Sequence, residues 1–376
     1  MALIAMLLLI YIHFTMDNRR SFLKKSGLLL AASTVSFPQL LFAQPKKKLG
    51  VALVGLGYYS RDLLAPALQL TEHCELRGIV TGSPDKIPVW QAKYGIEDKN
   101  IYNYENMHEI ADNVNIDVVY IVLPNALHKK YTIIAANAGK HVWCEKPMAP
   151  TVKDCKEMIK ACEKNKVQLT IGYRMQHEPV TQRIIAMAGS KPFGAIQKLK
   201  AEAGFYNSGG DGTHWKLHKE LAGGAMFDMG VYPLNAVRYA TQMEPLSVSA
   251  RIENGRPELF TADETTYFDL EFPEGIIAQC KTSFAENINH LKVDCQSGWY
   301  ELKPFQSYNG VAGRTSDGQI LSPFKGNQQA RQMDDDALSI KQKKAPLVPG
   351  EEGLKDIRIV EAIFESSSRG SKRILL

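Results

Sequence analysis

The chain has 376 residues, which is enough for two domains that each bury a hydrophobic core. Hydrophobic residues make up 45% of it and charged residues 23%, which is ordinary for a globular protein and excludes a disordered one. The formal net charge is +5, but +3 of this falls in the first 43 residues, so the rest of the chain offers no basic surface for nucleic acid.

The amino-terminal 43 residues have the pattern of a twin-arginine export signal. An arginine pair lies within residues 18–24, and the apolar run 28–35 and a tail of small and apolar residues follow it. We therefore expect a start at Met16, cleavage near Ala43, export to the periplasm by the twin-arginine route, and no stable membrane association after cleavage. A chance basic patch before an anchor helix is the alternative.

From Lys48 onward, apolar strand-like segments alternate with segments of helical periodicity, which predicts a doubly wound parallel sheet. The predicted strands are 49–55, 76–81, 118–123, 141–144 and 168–172. The predicted helices are 61–71, 86–94, 127–138 and 151–165. Thr151 is placed to cap the last of these helices. Residues 44–172 are therefore predicted to form a Rossmann dinucleotide-binding domain.

After Tyr173 the pattern changes to longer strands in which apolar and polar residues alternate, as in an antiparallel sheet with one covered face. The predicted strands are 195–205, 246–252, 265–272, 276–284 and 291–295. One helix over 229–240 interrupts them, 308–333 is predicted to be a loop, and a last helix over 354–366 is expected to pack back at the domain junction. The predicted fold is α/β: an N-terminal Rossmann domain plus a C-terminal α+β domain, residues 173–376, with a large, mainly antiparallel sheet.

The first predicted strand is followed by GLGYYS, residues 55–60. Gly55 and Gly57 allow a tight turn and a close approach of the backbone to a pyrophosphate, which the start of the next helix would hold. Tyr58, Tyr59 and Ser60 complete the motif, with Ser60 where a third glycine is usual. An ordinary tight turn is the alternative, but a strand before the motif and a helix after it favour cofactor binding.

The residues at the end of the second predicted strand should determine whether the cofactor is NAD or NADP. No acidic residue directly follows Val80 to bind a ribose diol. Instead Thr81, Ser83 and Lys86 are placed to meet a 2′-phosphate, which favours NADP while leaving NAD possible. The alternative is that Lys86 is a solvated residue of the next helix.

The fourth predicted strand, 141–144, is followed directly by Glu145-Lys146-Pro147. Charged residues directly after a buried parallel strand lie at its carboxyl end, where open α/β sheets bind ligands. Lys146 is therefore the first candidate for chemistry, and Glu145 a candidate for orienting it. A solvated turn is the alternative.

The six cysteines form no CxxC pair, and no His, Cys, Asp and Glu grouping has metal-ligand spacing, so we predict no metal.

Together, these motifs resemble the glucose-fructose oxidoreductase and inositol dehydrogenase family (Gfo/Idh/MocA). The resemblance spans nearly all of 48–376. It rests on residues 51–60, 123–125 with 128, 139–147, 173–174 with 178–179, and 223–232. Tyr232 stands where the family usually has a histidine, and Asn235 where a second acid is common; these departures are similar to the glucose-fructose oxidoreductase branch.

The resemblance implies a sugar oxidoreductase in which Lys146, Asp228 and Tyr232 are catalytic. A four-residue spacing places Asp228 and Tyr232 on one helix face. Tyr232 would take the hydroxyl proton, Lys146 would supply the cation that a phenol base needs, and Asp228 would orient a sugar hydroxyl. The resemblance also implies that Arg174 supports the substrate or the cofactor amide. The remaining implied cofactor contacts are Pro124, Asn125, His128 and Glu145.

Further candidates to line the pocket are Trp143, His177, His214 and Trp215. Relatives in this family commonly pair through the exposed face of the second sheet, which implies a homo-oligomer, dimer or tetramer. Two other functions stay open. One is an exported NAD-dependent glycosidase that acts by transient oxidation and elimination, and the other is a catalytically idle cofactor-binding protein.

Overall fold

The computed structural model describes residues 48–376. The export signal predicted over 1–43 therefore lies outside the described residues. Within the described part, no helix is both long enough and apolar enough to cross a membrane.

The first half of the described chain is built on a six-stranded sheet. Its strands are β1 (Leu49–Val54), β2 (Cys74–Val80), β3 (Ile101–Tyr102), β4 (Val118–Ile121), β5 (His141–Cys144) and β6 (Leu169–Ile171). All of them run parallel, in the order β3-β2-β1-β4-β5-β6. Every residue of β1 and β4 is buried, because helices cover both faces of the sheet. The predicted Rossmann fold is confirmed, and only the two-residue β3 was not predicted.

Four helices connect these strands. They are α1 (a π-helical turn, Tyr59–Leu64, continued by Ala65–Ala67), α2 (Ile87–Tyr94), α3 (His128–Asn137) and α4 (Val152–Lys164). Thr151 caps α4 as predicted, since its hydroxyl oxygen accepts a hydrogen bond of 3.1 Å from the amide of Asp154. The helix predicted over 61–71 ends earlier, where Thr71 turns its hydroxyl to the carbonyl oxygens of Leu68 and Cys74.

The second half of the chain is built on a nine-stranded sheet. Its strands are β7 (Ile196–Gly204), β8 (Ser247–Glu253), β9 (Thr265–Glu271), β10 (Ile277–Ser283), β11 (Ile288–Cys295), β12 (Gly298–Leu302), β13 (Gly313–Thr315), β14 (Ile320–Leu321) and β15 (Ile374–Leu375). The order is β14-β13-β12-β11-β7-β10-β9-β8-β15, and all neighbours are antiparallel except β7 and β10. The predicted mainly antiparallel sheet is confirmed. The four strands that were not predicted, β12 to β15, are each only two to five residues long.

Four further helices complete the fold: α5 (Pro179–Ser190), α6 (Val231–Thr241, preceded by a π-helical turn Met226–Gly230), α7 (Gln328–Gln342) and α8 (Gly350–Ser368). Sequence analysis missed α5, which Glu178 caps by accepting the amide of Thr181 at 2.7 Å. The loop predicted over 308–333 is also wrong. It contains β13, β14 and the start of α7, whose glutamines are buried rather than solvated.

Helix α8 lies at the junction between the two sheets. Gly353 of α8 leaves room for Met148 and Ile171 of the first half, while Phe364 contacts Phe227 of the second half at a ring-centroid distance of 5.5 Å. Asp356 of α8 is fully buried. The helix therefore packs against both parts of the molecule.

Asp356 fixes α8 to α6 through a buried ion pair. Its carboxylate oxygen lies 2.5 Å from a guanidinium nitrogen of Arg238, and its other oxygen accepts from the amide of Asn235 at 3.0 Å. Burial raises the pKa of Asp356, while Arg238 opposes that rise. Arg238 also pairs with Glu244 and Glu352.

We expect Asp356→Ala to lower the free energy of unfolding by about 3–5 kcal/mol, because it leaves a buried charge with one fewer partner. Glu365→Ala is the control. It removes an exposed pair with Arg369 and should cost under about 0.5 kcal/mol. Urea unfolding of both variants checks this, and equal losses would contradict it.

Candidate active site

A cleft opens at the carboxyl ends of β1 and β4, where the strand order of the parallel sheet reverses. This is the position at which open α/β sheets bind ligands. The cavity has a volume of about 610 Å³, which is in the range of small-molecule and cofactor sites. Its opposite wall comes from the segment 214–216 and from the π-helical turn and first residues of α6.

The structure brings most of the predicted site residues to this cleft. They are Gly55, Gly57, Tyr58, Tyr59, Thr81, Ser83, Lys86, Pro124, Asn125, Glu145, Lys146, Asp228 and Tyr232. Three predicted residues do not line it: Ser60, His128 and Arg174. Each of these three is almost completely buried.

The glycine-rich loop forms one end of the cleft. Gly55 has a φ of +92°, and a Cβ atom there would lie 2.3 Å from the carbonyl oxygen of Val122. Gly57, in contrast, has no neighbouring atom within 4 Å of a Cβ position, so its backbone borders open space. Ser60 donates from its hydroxyl to the carbonyl of Gly55 at 2.6 Å and so holds the turn itself. The loop fits a pyrophosphate, because its backbone is exposed where a side chain would otherwise stand.

The residues predicted to select the cofactor lie beside this loop. The amide of Ser83 donates to the hydroxyl of Thr81 at 3.0 Å, and the ammonium of Lys86 donates to the carbonyl of Leu56 at 3.3 Å. The two carboxylates of the cleft lining, Glu145 and Asp228, both lie next to Lys146 instead. This end of the cleft therefore carries one cation and two hydroxyls, which suits a 2′-phosphate.

Lys146 joins the two halves of the molecule at the other end of the cleft. Its ammonium donates to the backbone carbonyl of Asp228 at 2.6 Å and lies 3.8 Å from the carboxylate of the same residue. It also lies 4.5 Å from the ring centroid of Tyr232. Lys146 therefore contacts both of the other residues predicted to be catalytic.

A second lysine completes this group. The ammonium of Lys216 lies 2.8 Å from the carboxylate of Asp228, so the acid stands between two cations. Burial raises the pKa of Asp228, but Lys216 and Lys146 outweigh burial and the resulting pKa is lowered. Burial lowers the pKa of Lys146, but Tyr232, Asp228 and Glu145 together outweigh it and the pKa is raised. Both groups are thus held in their charged forms.

Glu145 has a different environment from Asp228. Burial raises its pKa, opposed by a hydrogen bond of 2.6 Å that the hydroxyl of Tyr120 donates to it and by the charge of Lys146. Gly172 lies against the carboxylate so closely that a Cβ atom there would be 2.7 Å from it. Glu145 is thus held in place by Tyr120 and Gly172, and its orienting role stays a prediction.

Two predicted cofactor contacts need correction. His128 turns both ring nitrogens to backbone carbonyls, those of Pro147 and Leu123, each at 2.9 Å, so it supports the loops around the cleft instead of lining it. Arg174 lies behind the cleft wall, with its guanidinium carbon 5.6 Å from the ring centroid of Tyr232 and 4.9 Å from that of Tyr308.

Of the four further residues predicted to line the pocket, two line the cleft and two do not. His214 and Trp215 line the cleft, whereas Trp143 and His177 are buried elsewhere. Lys216, Tyr308 and Tyr104 line the cleft but were not predicted. Lys216 follows two pocket candidates in a polar segment, and no periodicity or motif distinguishes it from the surface lysines. Among the described residues, no group of three or more His, Cys, Asp or Glu could hold a metal ion.

Comparison with known proteins gives a consistent result. Residues 49–173 match the model of the Gfo/Idh/MocA oxidoreductase family with its NAD-binding Rossmann fold, and residues 181–301 match a C-terminal domain model of that family. The chain is 37% identical to aldose-aldose oxidoreductase from Caulobacter crescentus, whose crystal structure with glycerol gives a TM-score of 0.83 over 88% of this chain and 100% of that one.

Two further relatives extend the comparison. A D-xylose 1-dehydrogenase [NADP(+)] of Haloarcula marismortui is 29% identical over 333 residues, which cover 85% of this chain and 91% of the relative. An inositol dehydrogenase homologue of Azotobacter vinelandii shares the fold, with a TM-score of 0.78 at 15% identity over 89% of this chain and 98% of that one.

The two glycines of the loop give a test of cofactor binding. Gly57→Ala should weaken binding of NADPH at least about tenfold, because its methyl group would stand in the phosphate cradle, yet leave the apoprotein as stable as the original. Gly55→Ala should instead destabilise the apoprotein, since the new Cβ would collide with Val122. Fluorescence titration with NADPH and thermal unfolding separate the two effects. Unchanged NADPH affinity in Gly57→Ala would contradict the assignment.

Proposed function

The chain belongs to the Gfo/Idh/MocA oxidoreductase family, and we propose that it oxidises an aldose at C1 with NADP that stays bound, then reduces a second sugar. The observation that carries the proposal is the contact of Lys146 with both Asp228 and Tyr232 at one end of a dinucleotide-sized cleft. The names of two relatives, an aldose-aldose oxidoreductase and an NADP-dependent xylose dehydrogenase, support it.

Residues at the glycine-loop end of the cleft would hold the phosphates of the cofactor. Gly55 and Gly57 would hold the pyrophosphate through their backbone, and Thr81, Ser83 and Lys86 would hold the 2′-phosphate, while NAD remains possible. When bound, the nicotinamide supplies the hydride acceptor.

The chain's own residues would manage the proton. Tyr232 accepts the proton of the C1 hydroxyl, and Lys146 stabilises the negative charge on the tyrosine oxygen before the transfer. Asp228, ionised between Lys146 and Lys216, accepts a hydrogen bond from a sugar hydroxyl and fixes the ring. Trp215 offers an apolar face beside these groups. Returning the proton to a second aldose carbonyl regenerates the base.

We expect Lys146→Ala and Tyr232→Phe each to lower the rate of aldose-dependent NADP reduction by at least about 100-fold, because each removes part of the acid–base machinery. Thr315→Ser, a change in β13 at a residue that does not line the cleft, is the control. Absorbance of reduced cofactor in a single half reaction is the measurement. Turnover of Tyr232→Phe near that of the original protein would show that the tyrosine is not the base.

The glycosidase alternative makes a different prediction for the same protein. Release of nitrophenol from a nitrophenyl glycoside with no net change in reduced cofactor would favour transient oxidation and elimination. Cofactor that co-purifies and is reduced by aldose, then reoxidised by a second sugar, favours the proposal made here. The contact among Lys146, Asp228 and Tyr232 argues against an idle cofactor-binding protein.

We also propose export to the periplasm and assembly into a homo-oligomer. The basis for export is the arginine pair at 19–20, and the basis for pairing is the outer face of the nine-stranded sheet. That face carries partly exposed aromatic rings under cations, with Arg251 3.7 Å from the ring of Tyr267 and Lys292 5.4 Å from that of Trp299. Such surfaces are common at protein interfaces.

One preparation tests both proposals. Replacing Arg19 and Arg20 by lysine should move the enzyme from the periplasm to the cytoplasm of a host with an active twin-arginine translocase. Sedimentation of the exported protein should give the mass of a dimer or tetramer. Export of the lysine variant, or a monomeric mass at micromolar concentration, would contradict the respective proposal.

A further inference from the structure

Arg174 is a buried cation that forms no ion pair with a carboxylate among the described residues. It begins the short helical turn Arg174–His177 after β6 and is 2% exposed. Its guanidinium donates to the carbonyl of Ser307 at 2.8 Å, to the side-chain oxygen of Gln328 and to the sulfur of Met175. All of these acceptors are neutral, and its Nε atom is buried with no acceptor.

The contrast with Arg238 shows why this is unusual. Arg238 is buried to a similar degree, but it pairs with the carboxylates of Asp356, Glu244 and Glu352. Burying a cation without a counter-charge is costly, so buried arginines are normally paired. Arg174 therefore needs a source of negative charge other than a carboxylate bound to it directly.

Phenol groups surround the guanidinium of Arg174. Its central carbon lies 5.6 Å from the ring centroid of Tyr232 and 4.9 Å from that of Tyr308, and Tyr59 is a third neighbour. Burial lowers the pKa of Arg174, yet the phenol groups, with Tyr232 first among them, outweigh burial and raise it. Among the described residues, the groups in contact with Arg174 that could carry a negative charge are therefore tyrosine oxygens, while the carboxylate of Glu145 acts on it through its charge alone.

Lys146 approaches the same tyrosine. Its ammonium lies 4.5 Å from the ring centroid of Tyr232, so the ring has two cations within 6 Å. Lys146 and Lys216 share one carboxylate, that of Asp228. The other nearby carboxylate, Glu145, accepts from the hydroxyl of Tyr120. Two cations of the cleft lining, Lys146 and Lys216, and Arg174 behind it thus outnumber the two nearby carboxylates, which leaves positive charge for one further anion.

We infer that Arg174 is a positioning residue that, with Lys146, stabilises Tyr232 as the phenolate that accepts the substrate proton. This inference rests on the proposed function, in which Tyr232 is the base. During the step the O–H bond of the sugar breaks, its proton forms the O–H bond of Tyr232, and the hydride leaves C1 for the cofactor. Arg174 does not line the cleft and acts through the tyrosine.

The first test is a pH profile of aldose-dependent NADP reduction. In Arg174→Met the acidic limb of the rate should move up by about one pH unit or more, so that activity lost near neutrality returns at high pH. Arg174→Lys keeps the charge, so its acidic limb should lie between those of the original protein and of Arg174→Met. The control is Arg331→Met, an exposed arginine on α7 whose profile should not move. An equal loss for Arg174→Met at every pH would overturn the inference.

The second test needs no turnover. The near-ultraviolet phenolate absorbance of the protein, minus that of Tyr232→Phe, reports ionisation of this tyrosine. Its midpoint should lie at higher pH in Arg174→Met than in the original protein. An unchanged midpoint in folded Arg174→Met overturns the inference even if the enzyme oxidises aldoses. A shifted midpoint supports the inference even if no aldose is oxidised, in which case only the proposed function fails.

Discussion

The site depends on one buried ammonium, that of Lys146. It follows β5 of the parallel sheet, and it donates to the backbone of Asp228, in the π-helical turn before α6 in the other half of the molecule. A buried lysine is stable only when its hydrogens and its charge have partners, so this contact fixes where the two halves meet. Because Tyr232 is one turn further along α6, the same contact sets the distance between the cation and the phenol.

Much of this could be predicted from the sequence, because the first half follows local rules. Strands buried on both faces are continuous apolar runs, and their carboxyl ends meet at one edge of a parallel sheet. The position of Lys146 after β5 and of Gly55 after β1 therefore placed both at the same cleft. The alternation of apolar and polar residues along β7 and β10 likewise predicted the second sheet.

The parts that could not be predicted are those decided by tertiary contacts. Helix α7 carries many glutamines and acids and has the composition of a loop, but its inner face meets buried polar groups, as where Gln332 donates to Tyr120 at 3.3 Å. Lys216 can be recognised as a site residue only from its ion pair with Asp228, whose carboxylate lies 2.8 Å from its ammonium. Arg174 is part of a recognisable motif, yet whether it faces the cleft or the back of Tyr232 depends on how the 308 segment folds over it.

The two carboxylates of the cleft also decide what kind of base the site can use. Two cations lower the pKa of Asp228, which leaves it a weak proton acceptor, while burial raises the pKa of Glu145, which is occupied by the hydroxyl of Tyr120. Where their environments shift the pKa values of two carboxyl groups in opposite directions, the two groups take different roles. With one carboxylate held ionised and the other held by a hydrogen bond, the proposed proton acceptor is Tyr232, whose ring centroid lies 4.5 Å from the ammonium of Lys146 and 5.6 Å from the guanidinium carbon of Arg174. The proposed chemistry requires the two cations beside that ring, because negative charge that develops on a phenol oxygen needs neighbouring positive charge to stabilise it.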